Sequence, residues 1–598
     1  MAERNDLDKL RERIDAVDGS MMELLEERLK ISEEIASYKQ ENNLPVHDED
    51  REREKLSSVS KNVSDKYRAY SKKLYSTLAE LSRERQNSVN SEELGAGCRY
   101  ALIGKKTGHS LSAKLHGMCA EYEYELVDVA DEIALEALLK DESYDGFNVT
   151  NPYKQVVMKY LDEVSELAKE VDAVNTVKRL PDGRLAGYNT DVYGFKFLVT
   201  RNVSGKKALI LGTGGGARAA AKALADFGAK PVIYVSREPA KAIKRMPEGS
   251  IIIGYEDVIK HKDLKILVNA TPVGMYPNIS ESPLDDLRFN SKVFKELELA
   301  IDLVYNPFRT KFLQEIDRLS GKENLPIINQ MLGQLRVSTL SGIDMLVRQA
   351  LLARQIWTSE NLSNVEVRDE EALDIKRRLL DDQLNIIMVG MPGSGKSSIS
   401  KRLAKELDRP YIDIDKKTEE LLGDRIENVP LDDPDAMEHF RDMETMALEQ
   451  NCKLSGCVIA TGGGSVLRPQ NRDYIKCNSI VVFLRRPTSQ LSLKHRPLSQ
   501  REGVDKLYKE RVGIYKRLAD VSVGNENTFG NSFDKNGAQN SYMYDIKRFA
   551  FKIKRKVGEF LDEVVDYQWS QYELAWRKRA RTVRKEDVSG PSELHTGE

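Results

Sequence analysis

A glycine-rich turn in the second half of the chain constrains its fold more than any other feature. Residues 390–397 read G-M-P-G-S-G-K-S and follow directly on the apolar run 385–389. This order is typical of a buried parallel strand, a tight turn and a helix that begins at Lys396. In such a turn backbone N–H groups bind phosphate oxygens, Lys396 reaches the terminal phosphates, and the Ser397 hydroxyl binds Mg²⁺. The motif therefore predicts a nucleoside triphosphate site, in preference to a glycine turn without a ligand. The predicted phosphate-binding residues are Gly393, Ser394, Gly395, Lys396, Ser397 and Ser398.

Length and charge narrow the class of protein. At 598 residues the chain is too long for one hydrophobic core, and the length suggests roughly three to five domains. Its 92 Lys and Arg residues nearly balance 95 Asp and Glu, so no overall field favours nucleic acid or an anionic membrane. There is no apolar run of transmembrane length, and the five cysteines lack metal-ligand spacing. From the polar first residues we expect no signal peptide. We therefore expect a cytoplasmic protein with reduced thiols.

Composition divides the chain into segments, and the expected fold is multidomain. Residues 1–90 predict an all-α three-helix dimerising domain, because they are charge-rich and show helical periodicity. Residues 98–358 alternate short apolar strands with helices and predict an α/β domain. The family resemblance given below implies that it has two lobes, 98–200 with 335–358 and a Rossmann nucleotide-binding lobe at 203–334. Residues 383–566 predict an α/β P-loop domain with a parallel sheet. A flexible linker at 359–382, a flexible insertion at 524–540 and a basic tail at 567–598 complete the predicted organisation.

The N-terminal segment begins with one long amphipathic helix, predicted to end near residues 42–45. Its apolar stripe consists of Leu7, Leu10, Ile14, Val17, Met21, Leu24, Leu25, Leu29, Ile31 and Ile35. Two further helices are expected, and three helices of this length cannot enclose a core alone, so we infer a homodimer. A plain dimerisation module is one interpretation. The placement of the charged residues favours a catalytic site instead. Arg28 and Lys39 lie three turns apart on one face of the helix. Arg11 points away from that face, as it would if it served the site of a partner subunit.

This segment resembles the all-helical chorismate mutase family over nearly its full length. The motifs are L-R-E-R-I-D, E-E-R-L, Y-K, P-V-H-D-E-D-R-E-R and S-R-E-R-Q. The resemblance implies that Arg11 of the other subunit, Arg28, Arg51 and Ser82 bind the substrate's carboxylates and neighbouring groups. It implies that Lys39 and Gln86 hydrogen-bond the ether oxygen, and that Asp48 and Glu52 hold the hydroxyl end. A Claisen rearrangement needs no nucleophile, only a compact conformer and donors where charge develops on oxygen.

The middle segment carries a dinucleotide fingerprint. A predicted strand at 206–211 runs into the glycine turn of Gly212, Gly214, Gly215 and Gly216, with Ala217 as the small residue that packs helix on strand. The next predicted strand, 232–235, ends in Ser236 and Arg237 with no acidic residue at its tip. An arginine there favours a ribose 2′-phosphate, so NADP is predicted rather than NAD; a solvated side chain is the alternative for Arg237.

The motifs that flank this fingerprint resemble shikimate dehydrogenase from end to end. They are H-S-L-S, F-N-V-T-N-P-Y-K, V-N-T and G-Y-N-T-D before it, and N-A-T-P-V-G-M, D-L-V-Y-N-P and G-I-D-M-L-V-R-Q-A after it. The resemblance implies Lys154 and Asp191 as the catalytic pair, and Thr271 and Met275 at the nucleotide. The substrate residues that it implies are Ser110, Ser112, Thr150, Asn175, Asn189, Tyr305 and Gln349. Hydride delivery to a ketone makes an alkoxide, which a lysine held charged by a carboxylate stabilises and protonates.

The segment after the P-loop resembles shikimate kinase. Its motifs are Y-I-D-I-D at 411–415, H-F-R-D-M-E at 439–444, T-G-G-G at 461–464, H-R-P-L at 495–498 and R-x₃-Y at 511–515. The resemblance implies Asp413 near Mg²⁺, Asp415 on the acceptor hydroxyl, and Arg441 with Arg511 on the acceptor carboxylate. It implies a close backbone wall at Gly462, Gly463 and Gly464, and Arg496 as a lid residue on the phosphates. Ala436-Met437 replaces the usual Gly-Glu and the stretch 484–496 is short, so altered ATP affinity is expected.

These resemblances converge on one pathway. They predict a trifunctional enzyme that uses NADP(H), ATP and Mg²⁺ on 3-dehydroshikimate, shikimate and chorismate. One alternative is a regulatory protein that senses such metabolites; another is a bifunctional enzyme with a silent kinase segment. Retention of Lys154, Asp191, Lys396, Asp413 and Arg441 argues against the sensor. The basic tail is expected to be a solvated helix end rather than a nucleic-acid contact.

Overall fold

The structure is a computed structural model, and it describes most of the chain. The described residues are 2–41, 55, 58, 64–68, 71, 74, 75, 77–79, 81, 82, 97–108, 110–120, 122–285, 294–320, 337–359, 367–430, 432–491, 503–524 and 539–576. Only the backbone is described at residues 2–9, 11, 12, 37, 40, 41, 65, 539–545, 567–569 and 571–576. Two compact units divide the chain, residues 1–100 with 116–125 and residues 101–115 with 126–598.

The first unit contains the predicted long helix, α1 (Ala2–Glu41). Its predicted end near residues 42–45 lies outside the described residues. Arg28 on α1 donates hydrogen bonds to the carbonyl oxygen of Leu78 (2.6 Å) and to the Ser82 hydroxyl. The described residues from Arg68 to Ser82 are helical. Much of the apolar stripe on α1 is exposed, including Ile14 at 60 % and Leu24 at 64 %.

The substrate-lobe sheet has the strand order β2-β1-β3-β5-β6-β4. Its strands are β1 (Arg99–Gly104), β2 (Glu123–Asp128), β3 (Gly146–Val149), β4 (Glu163–Val164), β5 (Thr176–Arg179) and β6 (Leu185–Tyr188). Its helices are α2 (Ser112–Cys119), α3 (Glu132–Leu139), α4 (Glu166–Val171) and α5 (Asp191–Lys196). The sheet is mixed, since β5 pairs antiparallel with both β3 and β6 whereas β4 pairs parallel with β6.

The nucleotide-binding lobe is a six-stranded parallel sheet with the order β12-β11-β10-β7-β8-β9. Its strands are β7 (Ala208–Leu211), β8 (Val232–Val235), β9 (Ile251–Ile253), β10 (Ile266–Asn269), β11 (Leu299–Asp302) and β12 (Ser338–Ser341). Its helices are α6 (Gly215–Asp226), α7 (Pro239–Ala242) and α8 (Lys311–Leu319). Apolar clusters cover both faces, as a parallel sheet requires. The predicted boundary at residue 334 is too early, because β12 completes this sheet.

The P-loop region is a five-stranded parallel sheet with the order β14-β15-β13-β16-β17. Its strands are β13 (Asn385–Val389), β14 (Tyr411–Asp413), β15 (Val458–Ala460), β16 (Ser479–Arg485) and β17 (Val521–Gly524). Two helices lead into it, α9 (Ile343–Thr358) and α10 (Asp369–Gln383). The helices that follow are α11 (Lys396–Leu407), α12 (Ile414–Leu422), α13 (Pro434–Cys452), α14 (Pro469–Cys477), α15 (Val504–Leu518) and α16 (Gln539–Trp576).

The predicted flexible linker is wrong over its described part. Residues 369–383 form α10, which packs against both α9 and α16. Lys376 on α10 is 1 % exposed and forms an ion pair with Asp344 on α9 at 2.7 and 2.8 Å. A helix with a buried charge pair on its neighbour is a docked element, not a tether.

Two further expectations bear on the end of the chain. The helix α16 extends to Trp576, ten residues into the stretch expected to be a tail, and residues 577–598 lie outside the described part. The expected flexible insertion lies almost entirely in residues 525–538, which are not described. Among the helices described here, none is both long enough and apolar enough to cross a bilayer.

Candidate active sites

The predicted catalytic pair of the middle segment comes together. Lys154 follows β3 and Asp191 begins α5; the lysine Nζ lies 2.6 Å from the aspartate Oδ2. Asn175 donates to the other carboxylate oxygen of Asp191 at 2.9 Å, so both oxygens are held. The side chains of Lys154 and Asp191 are 15 % and 7 % exposed, which strengthens their electrostatic attraction. A lysine oriented in this way by a carboxylate is a suitable proton donor.

Several of the predicted substrate residues form two hydrogen-bonded groups, and the first of them includes Asp191. Asn175 also donates to Thr190 at 2.9 Å and to the Gln349 Oε1 at 3.4 Å, which connects α5 to α9. Asn189 is buried and donates to the carbonyl oxygen of Ala173. Its main role in the observed network is therefore to hold the backbone that carries Asp191.

The second group contains the two serines and the tyrosine. The Ser110 hydroxyl donates to the Ser112 hydroxyl at 2.9 Å and also contacts Tyr305, whose pKa is raised by burial. Thr150 follows β3 and its backbone N–H bonds to the carbonyl oxygen of Ile103. The hydroxyl groups of Ser110, Ser112 and Tyr305 lie close together, and hydroxyl groups can donate hydrogen bonds to the carboxylate of a ligand.

The glycine turn of the nucleotide lobe approaches Lys154. Gly212 has φ +107°, a conformation that favours glycine, and Gly214 precedes the first turn of α6. A Cβ at Gly215 would lie 3.0 Å from the Lys154 Cδ, while Gly216 faces Leu303. Ala217 is fully buried. The turn thus brings a helix N-terminus, which favours phosphate, within reach of the catalytic pair.

The remaining predicted nucleotide residues lie at strand ends of the same lobe. Arg237 is exposed just after β8, and the Ser236 hydroxyl beside it accepts from the Glu238 N–H. Thr271 donates to Asn269 at 2.7 Å just after β10, and Met275 is 38 % exposed. An exposed arginine at the β8 tip fits a 2′-phosphate.

A buried hydrogen-bond network lies behind this edge of the sheet, and its contacts were not predicted from the sequence. Asn269 donates to Asp302 at 2.9 Å, and Thr310 donates to the other oxygen of that carboxylate at 2.5 Å. Burial raises the pKa of Asp302 to about 7. Both Asn269 and Asp302 stand in motifs that the sequence singles out, but pattern alone did not indicate that they bond to each other.

The P-loop has the geometry expected of a phosphate cradle. Gly393 and Gly395 have φ +81° and +99°, and Lys396 Nζ donates to the carbonyl oxygens of Gly390 (2.9 Å) and Met391 (3.1 Å). Ser394 is buried in the turn, whereas Ser397 and Ser398 are exposed on the first turn of α11. Tyr411 donates to Asp413 at 2.8 Å, which holds that carboxylate. Backbone donors, a lysine, a hydroxyl and a carboxylate are the groups that fit triphosphate and Mg²⁺.

The triple-glycine wall lies against the predicted acceptor site. A Cβ at Gly462 would lie 2.5 Å from the Asp415 Oδ1 and 3.0 Å from the Glu444 Oε1. Gly463 faces Pro392 of the P-loop and accepts a 2.5 Å hydrogen bond from the Tyr515 hydroxyl. A side chain at either glycine would therefore push the acceptor wall away from the phosphate cradle.

Two arginines complete this predicted site. Arg511 is 7 % exposed, its Nη1 lies 4.0 Å from a Cβ built at Gly464, and its Nε has no hydrogen-bond partner within the described residues. Arg441 is exposed on α13. A buried guanidinium with an unused donor fits a carboxylate ligand.

Glu444 is a buried carboxyl group in the same site that sequence reasoning did not nominate. It is 5 % exposed, accepts from the Ser465 hydroxyl at 2.5 Å, and lies one helical turn after Arg441. Burial, and to a lesser extent the charge of Asp415, raises its pKa to about 7. Its position three residues after Arg441 in the H-F-R-D-M-E motif was the available signal.

The predicted residues of the N-terminal site are only partly described. Arg28 and Ser82 are in contact, as stated above, and Lys39 is half-buried further along α1. The predicted residues outside the described part are Asp48, Arg51, Glu52, Gln86 and, in the P-loop region, Arg496. The backbone of Arg11 lies in α1, but its side chain is not described.

Along one chain there thus follow a helical region, a two-lobed nucleotide-dependent dehydrogenase and a P-loop kinase. Comparison with known families agrees with this class. Residues 10–87 match the model of chorismate mutase type II, residues 102–177 match the shikimate dehydrogenase substrate binding domain, and residues 392–535 match shikimate kinase.

Individual relatives are similar over the middle of the chain. A shikimate dehydrogenase (NADP(+)) of Clostridium perfringens is 37 % identical over 269 residues, which are 43 % of this chain and 91 % of that protein. One of Clostridium beijerinckii is 37 % identical over 275 residues, 44 % of this chain and 93 % of that protein. A crystal structure of a chorismate mutase/shikimate 5-dehydrogenase fusion protein from Clostridium acetobutylicum is 32 % identical, with a TM-score of 0.39, and covers 47 % of this chain and 96 % of that chain. The chain belongs to the shikimate dehydrogenase family, and it carries chorismate mutase and shikimate kinase domains on either side.

Proposed function

We propose that this protein catalyses three reactions of one biosynthetic route. These are reduction of 3-dehydroshikimate to shikimate with NADPH, phosphorylation of shikimate with ATP, and rearrangement of chorismate to prephenate. The single observation that carries the proposal is the partly buried Lys154–Asp191 pair beside the glycine turn, with Nζ and Oδ2 2.6 Å apart, in a chain that also holds an intact P-loop.

In the dehydrogenase region, Lys154 protonates the oxygen of the carbonyl that is reduced. Asp191 orients this lysine, and Asn175 fixes the carboxylate by donating to its second oxygen. Ser110, Ser112 and Tyr305 bind the substrate carboxylate and the ring around it, while Thr150, Asn189 and Gln349 line the remainder. NADPH supplies the hydride and is held by the Gly212–Ala217 turn, Ser236, Arg237, Thr271 and Met275.

In the kinase region, Asp415 orients the hydroxyl group that receives the phosphoryl group. Arg441 and Arg511 bind the carboxylate of shikimate, and Gly462, Gly463 and Gly464 allow the ring to approach the cradle. Lys396 and the turn around it bind phosphate oxygens, with Arg496 closing over them. ATP supplies the phosphoryl group, and Ser397 and Asp413 are the residues that would hold Mg²⁺.

In the helical region, Arg28 and Ser82 bind chorismate together with Arg51, Asp48 and Glu52. Lys39 and Gln86 stabilise the charge that develops on the ether oxygen. We further propose a homodimer, in which Arg11 completes the partner's site. The exposed apolar stripe on α1 supports this, since a helix side with Ile14 and Leu24 more than half exposed is suited to pack against a second copy.

We assign the protein to the cytoplasm. The five cysteines are all free thiols, which suits a reducing compartment that also holds NADPH and ATP.

Three assays on the full chain test the proposed function. We expect NADPH oxidation with 3-dehydroshikimate, ADP release that depends on shikimate, and disappearance of chorismate. Absence of all three turnovers would favour a metabolite-sensing protein built from these domains. Loss of ADP release alone would favour a bifunctional enzyme with a silent kinase.

A further inference from the structure

A cavity of about 80 Å³ lies where the dehydrogenase region meets the kinase region. Residues that follow β11 and residues of α8 form one wall, and α14 with α15 forms the other. This volume is several times the ~10–15 Å³ that one water molecule needs, so a tetrahedral oxyanion fits. The cavity is separate from the catalytic groups described above, because none of them lines it.

Direct hydrogen bonds between the two regions fix the walls. The backbone N–H of Arg309 donates to the carbonyl oxygen of Cys477 at 2.8 Å. The side-chain amide of Gln314 donates to the carbonyl oxygen of Asp473 at 3.2 Å. The Arg318 guanidinium pairs with the Asp473 carboxylate at 3.1 Å. The cavity is therefore a built feature of the junction between the two regions.

Positive charge dominates the lining. Five cationic side chains and two carboxylates face the cavity. Arg309 is 2 % exposed and pairs with Asp317, and Arg318 pairs with Asp473, so each carboxylate is already matched by an arginine. Arg472, Lys476 and Arg517 add further positive charge to the lining. Burial lowers the pKa of Arg309 to about 10, which reflects a poorly hydrated wall where ionic attraction is strong.

Each wall includes one segment that also carries a predicted substrate residue. Arg511 lies on α15, six residues before the cavity-lining Arg517. In the other wall, Arg309 comes four residues after Tyr305 in the sequence. A ligand in the cavity thus contacts segments that lead to both candidate sites.

We propose that this junction cavity binds a small phosphate-bearing molecule through Arg318, Arg472, Lys476 and Arg517. Phosphate matches the lining because its oxygens accept several charged donors at once, and its charge offsets the excess of cations. This site goes beyond the proposed function and does not depend on it, since binding requires no turnover.

Calorimetric titration of the full chain with inorganic phosphate tests the proposal. The Lys396→Ala background weakens phosphate binding at the P-loop, and saturation with NADP⁺ blocks the dinucleotide site. We expect about one phosphate to bind per chain. Arg517→Met or Arg318→Met is expected to raise the dissociation constant for phosphate roughly tenfold, because each removes one charged hydrogen bond. Arg517 is exposed, so its replacement is not expected to disturb folding.

Two further variants test whether the charge of the lining controls the affinity for phosphate. Asp473→Asn removes a carboxylate from the lining and is expected to tighten phosphate binding, which a purely structural role would not produce. Arg378→Met, at an exposed arginine on α10, is the matched control and leaves binding unchanged. Parallel titration with glycerol 3-phosphate distinguishes a monoester ligand from the free ion. No binding in the background chain, or binding unaffected by Arg517→Met and Arg318→Met, would overturn the proposal.

Discussion

In the Lys154–Asp191 pair, the ammonium group of the lysine and the carboxylate that orients it are both largely shielded from water. Lys154→Ala removes the proton donor, so we expect the rate of 3-dehydroshikimate reduction to fall by about 10²–10⁴-fold. Shikimate-dependent ADP release is expected to stay at the level of the unaltered chain. Measurement of both rates on one preparation checks the prediction, with Lys159→Ala, at an exposed lysine paired with Glu132, as control. Equal loss in both assays would point to a folding defect rather than a catalytic role.

Glu444 gives the kinase region a pH-dependent stability. Its pKa is raised from 4.5 to about 7 in the folded protein, so the folded state holds a proton that the unfolded state has lost between those values. The free energy of unfolding therefore falls as the pH rises from about 4.5 to about 7 and beyond, by on the order of 3 kcal/mol for this group. We expect Glu444→Gln to be more stable than the unaltered chain at pH 8 and nearly equal to it at pH 5.

Thermal unfolding at the two pH values measures this difference. Glu438→Gln, at a carboxylate that is 63 % exposed and paired with Arg468, provides the control and is expected to leave the pH dependence unchanged. An identical pH dependence in Glu444→Gln and the unaltered chain would contradict the assignment.

At the residue scale, the sequence predicted groups whose chemistry is written in a local motif. Lys396 follows from the P-loop motif, whereas Lys154 and Asp191 are implied by the family resemblance, and the structure brings these two into contact. Glu444 and Asp302 were not nominated, because their raised pKa values depend on burial by chain segments distant in sequence. Desolvation has no signature in a short motif.

At the scale of elements, α10 is where expectation and structure differ most. Its charged composition suggested a solvated linker, yet Lys376 is buried against Asp344. Arg348 and Arg354 on α9 also pair with Asp369 and Glu371 on α10. Charged residues are found in linkers and in docked helices alike, so composition could not separate the two.

The buried pair on α10 predicts a large loss of stability. Lys376→Met leaves the Asp344 carboxylate buried without its cation, which costs about 3–5 kcal/mol of the free energy of unfolding. Replacing Asp344 by Leu in the same chain removes the stranded charge and is expected to restore most of that loss. Thermal unfolding of the single and double variants measures both effects, with the exposed Arg378→Met on the same helix as control. A single variant as stable as the control would contradict the role of the pair.

At the scale of the whole molecule, the exposed stripe of α1 bears on assembly. The stripe predicts a dimer, and Ile14→Glu with Leu24→Glu places charge on it, so we expect sedimentation to report a monomer. Chorismate turnover is expected to fall at least about tenfold if Arg11 serves the partner's site, since each lost charged contact costs roughly 1.5–3 kcal/mol. Reduction of 3-dehydroshikimate is expected to persist.

Asp15→Lys tests whether charge alone has this effect. Asp15 lies nine residues from Leu24, about half a turn out of phase, and so faces away from the stripe. This variant is expected to remain dimeric and active. A monomeric unaltered chain that still consumes chorismate would refute the shared site.

The sequence by itself determined the two nucleotide turns, the order of the regions and the chemistry of their motifs. These features are local, because a turn that binds phosphate needs particular backbone conformations and donors within a few consecutive residues. Only the tertiary structure decided that residues 369–383 dock as a helix, that β12 completes the nucleotide sheet, and that cationic side chains of two regions line one cavity. Each of these depends on burial and pairing between residues far apart in the chain, which no local pattern specifies.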